Sequence, residues 1–147
     1  MEKEPKNDEY GEPSIIVKSV ARVVFPLAFM YGVYIFVHGH LTPGGGFQGG
    51  TIIASSIILL YLGFGRLSIP ESLMTVLESL AALCFIGLGC IGIVKGGNFL
   101  WNAVDLGEPG TLLSAGILGP IYVAIGVKVG TELTAIFNNM RRKSHEY

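Results

Sequence analysis

Charge is what this sequence has least of. Only 14% of its 147 residues are Asp, Glu, Lys or Arg, where about 25% is ordinary for a soluble domain. The deficit is patterned: no such residue occurs from Val23 to Gly65, from Ser79 to Val94, or from Pro109 to Val127. Cysteine is nearly absent too, with only Cys84 and Cys90. Their spacing puts them on different faces of one predicted helix, so they cannot bridge each other. Without a C-x-x-C there is no zinc or iron–sulfur framework, and both are read as packed, inert thiols. Nucleophile–base pairs, acid pairs and cofactor signatures are missing as well. The chain is therefore not expected to be an enzyme by itself, nor to hold a cofactor or metal, and no nucleic-acid partner is expected.

What the sequence does have is apolar length. Half of the residues are hydrophobic, 50% by count. A transmembrane helix needs roughly 20 mostly apolar residues to cross a ~30 Å hydrocarbon core. Four candidate spans meet that need, near residues 19–38, 47–65, 72–94 and 112–137. A soluble four-helix bundle would carry a polar stripe along each helix, and these segments carry almost none. The expected fold is all-α and integral to the membrane: four transmembrane helices in a domain over 14–140, between a polar tail (1–13) and a basic tail (141–147). MEKEPKNDEYGE is acidic and polar with no cleavage pattern after a short apolar core, so it is expected to be a solvated tail, not a signal peptide. Lys3, Lys6, Lys18 and Arg22 precede the first span, Arg66 lies between the second and third, and Arg141, Arg142 and Lys143 follow the fourth. The remaining connections carry only Lys95. Positive residues mark the cytoplasmic side, so both termini are expected there, with 39–46 and 95–111 opposite. The lipid bilayer is the first expected partner.

Glycine is abundant, 21 in all, and concentrated in HGHLTPGGGFQGG at 38–50. Gly44, Gly46 and Gly49 spell G-x-G-x-x-G, but a dinucleotide site needs a preceding strand and an acidic residue about 20 positions on. Here the preceding segment is the membrane-length VVFPLAFMYGVYIFV, with Pro26 as an expected kink, and the next acidic residue is Glu71. A P-loop fails because no Lys-Ser or Lys-Thr follows. The run reads as a turn between membrane helices. Pro43 presets one backbone angle, and Gly44 and Gly45 are free to take positive φ. Gly46, Gly50 and Ala54 then form a ridge on which another helix can pack closely. Gly92 and Gly96, and Gly126 and Gly130, repeat the spacing. These ridges are expected to leave close-packing surfaces that lipid fills badly, and to make the chain depend on partners. Gln48 is placed to hydrogen-bond across helices or to the loop backbone.

The same residues carry a resemblance. Gly39-His40-Leu41-Thr42-Pro43, followed by Gly44-Gly45-Gly46-Phe47-Gln48-Gly49-Gly50, closely resembles the motif of the MnhB family, the B-type subunits of Mrp-type multisubunit Na⁺/H⁺ antiporters. Hydropathy extends the similarity over roughly 14–138. The resemblance implies a small polytopic subunit that works inside a large assembly. Its implied partners are other membrane subunits of a hetero-oligomeric antiporter or respiratory complex, since some archaea join this module to a membrane-bound hydrogenase or a sulfur-reducing complex. The chain departs from the bacterial pattern in a short 95–111 connection and in Gly119-Pro120, where that pattern has an acidic residue. This favours the archaeal respiratory type.

Ionisable groups inside a bilayer are costly and are candidates for function. Glu78 falls in the third span and Lys128 and Glu132 in the fourth. The expected cytoplasmic edge lies near Pro70 for the third span and near Asn138 for the fourth. At ~1.5 Å per residue Glu78 and Lys128 lie at similar depths, roughly 12 and 15 Å inside it. Lys128 and Glu132 share a helix face at i, i+4. Two readings compete: these groups edge a hydrated path for Na⁺ or H⁺, or Glu78–Lys128 is a buried pair that ties helices or subunits together. His38 and His40, at the outer end of the first span, are either structural polar contacts or points of proton access. Their spacing does not suit a metal pair. Tyr31, Tyr34, Tyr61 and Trp101 fit interface or packing roles.

The function that follows is an accessory transmembrane subunit of an Mrp-type Na⁺/H⁺ antiporter module, contributing to ion translocation and assembly, with a respiratory complex as one parent the resemblance allows. The alternative is a structural scaffold subunit that carries no ion. A self-sufficient transporter would need internal repeats or broken helices around a midplane site.

Overall fold

The computed structural model describes residues 13–41, 43–64, 69–102, 104–108, 110 and 114–144. The acidic leader with Lys3 and Lys6, as well as Thr42 and Arg66, lies outside them. Four helices are present among the described residues: α1 (Ile15–Val37), α2 (Gly46–Phe64), α3 (Glu71–Gly96) and α4 (Leu118–Ser144). All four are long and apolar enough to cross a membrane.

Their ends differ from the expected spans for local reasons. α1 begins earlier, at Ile15, because the Ser14 hydroxyl accepts the Val17 N–H at 3.3 Å and so satisfies one of the free donors of a helix start. Pro26 sits inside α1 without ending it. α3 ends on Gly97, whose φ of 78° is the left-handed cap that glycine adopts most easily. α4 begins later than expected because the connection before it is held in irregular shape. Asn102 donates to the Ala115 carbonyl at 3.3 Å and accepts the Ile117 N–H at 3.1 Å. Ala115 and Gly116 both take positive φ there, 72° and 60°. Pro120 follows in the first turn of α4, where a missing N–H leaves no bond unmade.

α2 packs between α1 and α4, and α4 lies between α2 and α3. Among the helices, the α3 backbone comes close to α4 alone, while Met74 and Leu77 face α1 and α2 side chains across an apolar cavity. The buried apolar side chains are mainly alanines: Ala21, Ala54, Ala81 and Ala124, with Met74, Ile117 and Ile121. Large residues such as Leu27, Leu80, Leu83 and Val94 point outward. A soluble protein does the reverse. In lipid, burying a leucine gains little, and helix association comes from close van der Waals contact, which small residues permit. Cys84 and Cys90 follow the large residues and not the alanines. Both are exposed on α3, which corrects the expectation of packed thiols: a helix with one neighbour leaves most of its circumference outward.

Glycines supply close contact on both sides of α2. Toward α1, a Cβ at Gly49 would lie 2.7 Å from the Gly32 carbonyl oxygen, and one at Gly32 would lie 3.0 Å from the Gly49 oxygen. Toward α4, a Cβ at Gly46 would run into the Tyr122 carbonyl, and one at Gly50 would lie 2.5 Å from the Gly126 oxygen. Gly130 faces Gly50 in return. The expected ridges of α2 and α4 thus meet each other within one chain, and they are not left open for partners.

Gly92 and Gly96 depart from the expectation in another way. Their nearest neighbours belong not to another helix but to the chain after α3, which folds back over them. The Leu100 N–H donates to the Gly89 carbonyl at 3.3 Å, the Trp101 backbone nitrogen lies against Gly92, and the Trp101 ring covers Gly96. Small residues here make room for a loop.

Hydroxyls within the helices bond to their own backbones. Thr51 donates to Phe47 O at 2.9 Å, Ser55 to Thr51 O at 2.9 Å, and Thr134 to Gly130 O at 2.7 Å. A donor without a partner in hydrocarbon is costly, so each is satisfied locally.

Two substitutions test the packing. We expect Gly50→Val to destabilise the chain by about 1–3 kcal/mol, the usual cost of overpacking. Gly87→Ala, where nothing lies within 4 Å, should be neutral or stabilise α3 by up to ~1 kcal/mol through helix propensity. Thermal unfolding of the two variants in detergent measures the difference, and equal melting points would contradict the glycine contacts.

Candidate functional site

Glu78 stands two turns into α3, after an N-terminal turn set by Pro70 and Glu71. Lys128 and Glu132 lie one turn apart in the middle of α4. Because α3 packs on α4, their side chains meet. The Lys128 ammonium donates to Glu78 Oε1 at 2.9 Å and lies 3.4 Å from Glu132 Oε2. One cation is thus shared between two carboxylates, and the cluster carries a formal charge of one negative. The side chains are 40% exposed at Lys128, 39% at Glu78 and 50% at Glu132. The cluster is therefore at the outer surface of the four helices.

Two different spaces flank it. On one side Glu78 lines a recess of about 120 Å³ with Glu71, Thr75, Asn138 and Asn139, open toward the ends of α3 and α4. On the other, Lys128 and Glu132 edge an apolar groove of about 340 Å³ between the same helices. The Glu78–Lys128 bond forms the wall between the polar recess and the apolar groove.

The loop motif divides by face. Gly45, Gly46, Gly49 and Gly50 are buried, whereas Pro43, Gly44, Phe47 and Gln48 are exposed. Gly44 takes φ 150°, which side chains rarely adopt. Gly45 does not take positive φ. It lies beside the Tyr122 ring, where a Cβ would meet the ring at 3.5 Å, an ordinary contact. Phe47, at 61% exposure, and Gln48 turn outward. His38 Nδ1 donates to the Tyr34 carbonyl at 3.0 Å while its ring stacks on Tyr34, with centroids 4.2 Å apart. His40 is half-buried beyond it. The loop histidines and the charged cluster are on different parts of the molecule. Gly39 and Gly45 lie against Tyr122 near the start of α4, and the cluster stands about two to three turns farther along that helix.

The MnhB family model, described as a domain related to the MnhB subunit of Na⁺/H⁺ antiporter, matches residues 16–135. The chain belongs to the MnhB family. It is 32% identical over 138 residues to the B-type Na⁺/H⁺ antiporter subunit of Alkalihalophilus pseudofirmus, covering 86% of this chain and 94% of that subunit. An uncharacterized protein of Methanocaldococcus jannaschii is 34% identical over 140 residues, covering 85% of this chain and 53% of that protein. A solved structure, the membrane-bound sulfane sulfur reductase, an archaeal respiratory membrane complex, contains a chain similar to this one at TM-score 0.79 and 39% identity. That match covers 95% of this chain and 63% of the other. This MnhB-family chain thus spans about half to two thirds of its archaeal relatives and nearly all of the antiporter subunit. It is a multi-pass membrane protein of a family whose members are subunits of larger assemblies.

Two structural residues escaped sequence reading. Asn102, which organises the entry to α4, has no signal beyond being a polar residue in a loop. Arg141 lies over the Tyr61 ring at 4.2 Å, and Tyr61 meets Phe137 edge-on at 5.6 Å. This joins the ends of α2 and α4 through a cation–π contact, where the sequence suggested only a topogenic charge.

The shared lysine generates a specific expectation. Lys128→Met alone leaves two carboxylates without a cation, whereas Glu78→Gln leaves Lys128 paired with Glu132 and the double variant leaves only Glu132 to be satisfied. We expect the double variant to accumulate in membranes at higher levels than Lys128→Met alone. Immunoblotting of membrane fractions checks this, and a double variant equal to the sum of the two losses would contradict the coupling.

Proposed function

We propose that this chain is an accessory transmembrane subunit of an Mrp-type Na⁺/H⁺ antiporter module, built into a respiratory membrane complex of the sulfur-reducing or hydrogenase type. It contributes to assembly and to the ion path at its edge. The observation that carries this reading is the Glu78–Lys128–Glu132 cluster: charged, within the spans, and half-exposed on the outer face. A lipid-facing ion cluster is costly, so such groups face protein or a water-filled path. One acid–base pair does not make a pump, and the chain works with neighbouring subunits that hold the other titratable groups. The similarity to a chain of the sulfane sulfur reductase supports the respiratory parent over a stand-alone antiporter. His38 and His40 edge the same assembly toward its opposite surface, with His38 held by Tyr34 and His40 beyond it in the loop, where it bears on proton access.

In this reading both termini are cytoplasmic, with the α1–α2 and α3–α4 connections on the opposite side, as the distribution of Lys and Arg supports. In a chain whose two native cysteines are replaced, Asp105→Cys should react with a membrane-impermeant maleimide from outside, and Lys6→Cys only after permeabilisation. The inverse pattern overturns the topology.

The role in transport has its own measurement. Glu78→Gln, Lys128→Met and His40→Ala are each compared with Gly50→Val for complex recovery on native gels and for Na⁺-dependent proton movement in vesicles. We expect Gly50→Val to lose the complex, and His40→Ala and Glu78→Gln to retain it with reduced transport. If Glu78→Gln and Lys128→Met lower complex and transport in equal proportion, the chain is a scaffold that carries no ion.

A further inference from the structure

We propose that the face between α3 and α4 seats a transmembrane helix of a partner subunit, and that this helix carries a Lys or Arg opposite Glu132. The inference rests on the reading of this chain as a subunit of a membrane complex, and it adds where the partner binds and what chemistry it brings.

The charge arrangement is uneven. Lys128 is closer to Glu78, at 2.9 Å, than to Glu132, at 3.4 Å. Glu78 also has the polar recess with Thr75, Asn138 and Asn139 beside it. Glu132 has the longer ion pair, the greater exposure, and an apolar groove in front of it. Two carboxylates share one ammonium, so the excess negative charge falls on Glu132. That residue lies about 9 Å inside the cytoplasmic edge expected near Asn138, farther than a short acidic side chain extends. Left against acyl chains, the charge is costly. A basic residue on a neighbouring helix balances it.

The groove beside it has the form a helix needs. It is lined by the small residues Ala81, Ala82 and Ala124, two of them buried, together with Phe85, Ile86 and Ile125. Small residues in the lining let a second helix approach closely, which is how association is gained in lipid. The lining of the groove comes from α3 and α4 alone among the described residues, so no other helix of the chain fills this side. Charge complementarity and groove shape thus fall on the same face.

The test uses the whole complex, in membranes of cells that express the full gene cluster. A photo-crosslinking amino acid is placed at Ala82, in the groove, with Glu132 intact. We expect an adduct to one membrane-spanning peptide of a different subunit, and that peptide to contain Lys or Arg. Glu132→Lys should cut the adduct yield at least about tenfold through like-charge repulsion. A Lys→Glu or Arg→Glu change in the cross-linked peptide should restore it. Adducts to lipid alone, to a second copy of this chain, or to a peptide without Lys or Arg overturn the proposal, as does an unchanged yield with Glu132→Lys. Failure of the chain to co-purify with any other membrane subunit defeats the underlying reading of a complex subunit. Co-purification with lipid-only adducts defeats the docking inference alone.

Discussion

The close approach of the α2 backbone to the helices on both sides is the constraint from which the rest of this structure follows. Gly32 and Gly49 bring α1 and α2 together, and Gly46 and Gly50 bring α2 against Tyr122, Gly126 and Gly130 of α4. Alternate small residues on two faces of one helix place it between two others, and α2 occupies that position. Because the contacts are backbone to backbone, no large side chain is needed inside. The bulky residues are free to face lipid or other subunits. A membrane helix gains little from hiding leucine, so sequence economy and packing favour the same outcome.

With α1, α2 and α4 locked by glycines, α3 is held differently. It has no glycine-to-glycine contact with another helix; Gly89, Gly92 and Gly96 are covered by the returning chain at Phe99, Leu100 and Trp101. Its junction with α4 has Met74 beside Ala135 and Asn138, Ala81 beside Ala124, and the Glu78–Lys128 bond. The polar tie therefore sits at the one helix junction that lacks a close backbone seam. A junction of this kind, with a polar recess on one side and an apolar groove on the other, is suited to respond to what binds beside it. The tightly seamed α1–α2–α4 unit is suited to stay fixed.

Much of this was legible in the sequence, and the parts that were not have identifiable causes. Charge-free runs announce membrane helices because the bilayer imposes a strong length and polarity constraint, and four helices were found. Glu78 and Lys128 could be matched in depth because helical rise converts residue counts into distance. The partner of a glycine ridge could not be read: spacing shows that a face is narrow but not what comes to it. Gly46 and Gly50 met α4, while Gly92 and Gly96 met a loop. Gly45 looked like a residue needed for its backbone angle and takes no positive φ, while its neighbour Gly39 is the one held to glycine by space, since a Cβ there would lie 2.8 Å from the Gly45 Cα. Asn102 was invisible for a related reason. Its two bonds bridge residues more than ten positions away, and no local pattern encodes such a partner.

The loop motif combines both logics within a few residues. Gly45, Gly46, Gly49 and Gly50 turn inward to set the seams, and they account for why this stretch is so poor in side chains. They do not account for Phe47 and Gln48, which face outward from the same turn of helix. An exposed aromatic beside an exposed amide has one apolar and one hydrogen-bonding surface, which suits a membrane interface or a neighbouring protein better than hydrocarbon alone. The inward glycines fix the direction in which those two side chains leave the helix. Substituting a seam glycine therefore displaces the outward pair as well, even though the two sets of residues point to opposite faces. The motif is constrained on both faces because one rigid turn positions the interior contact and the exterior surface together.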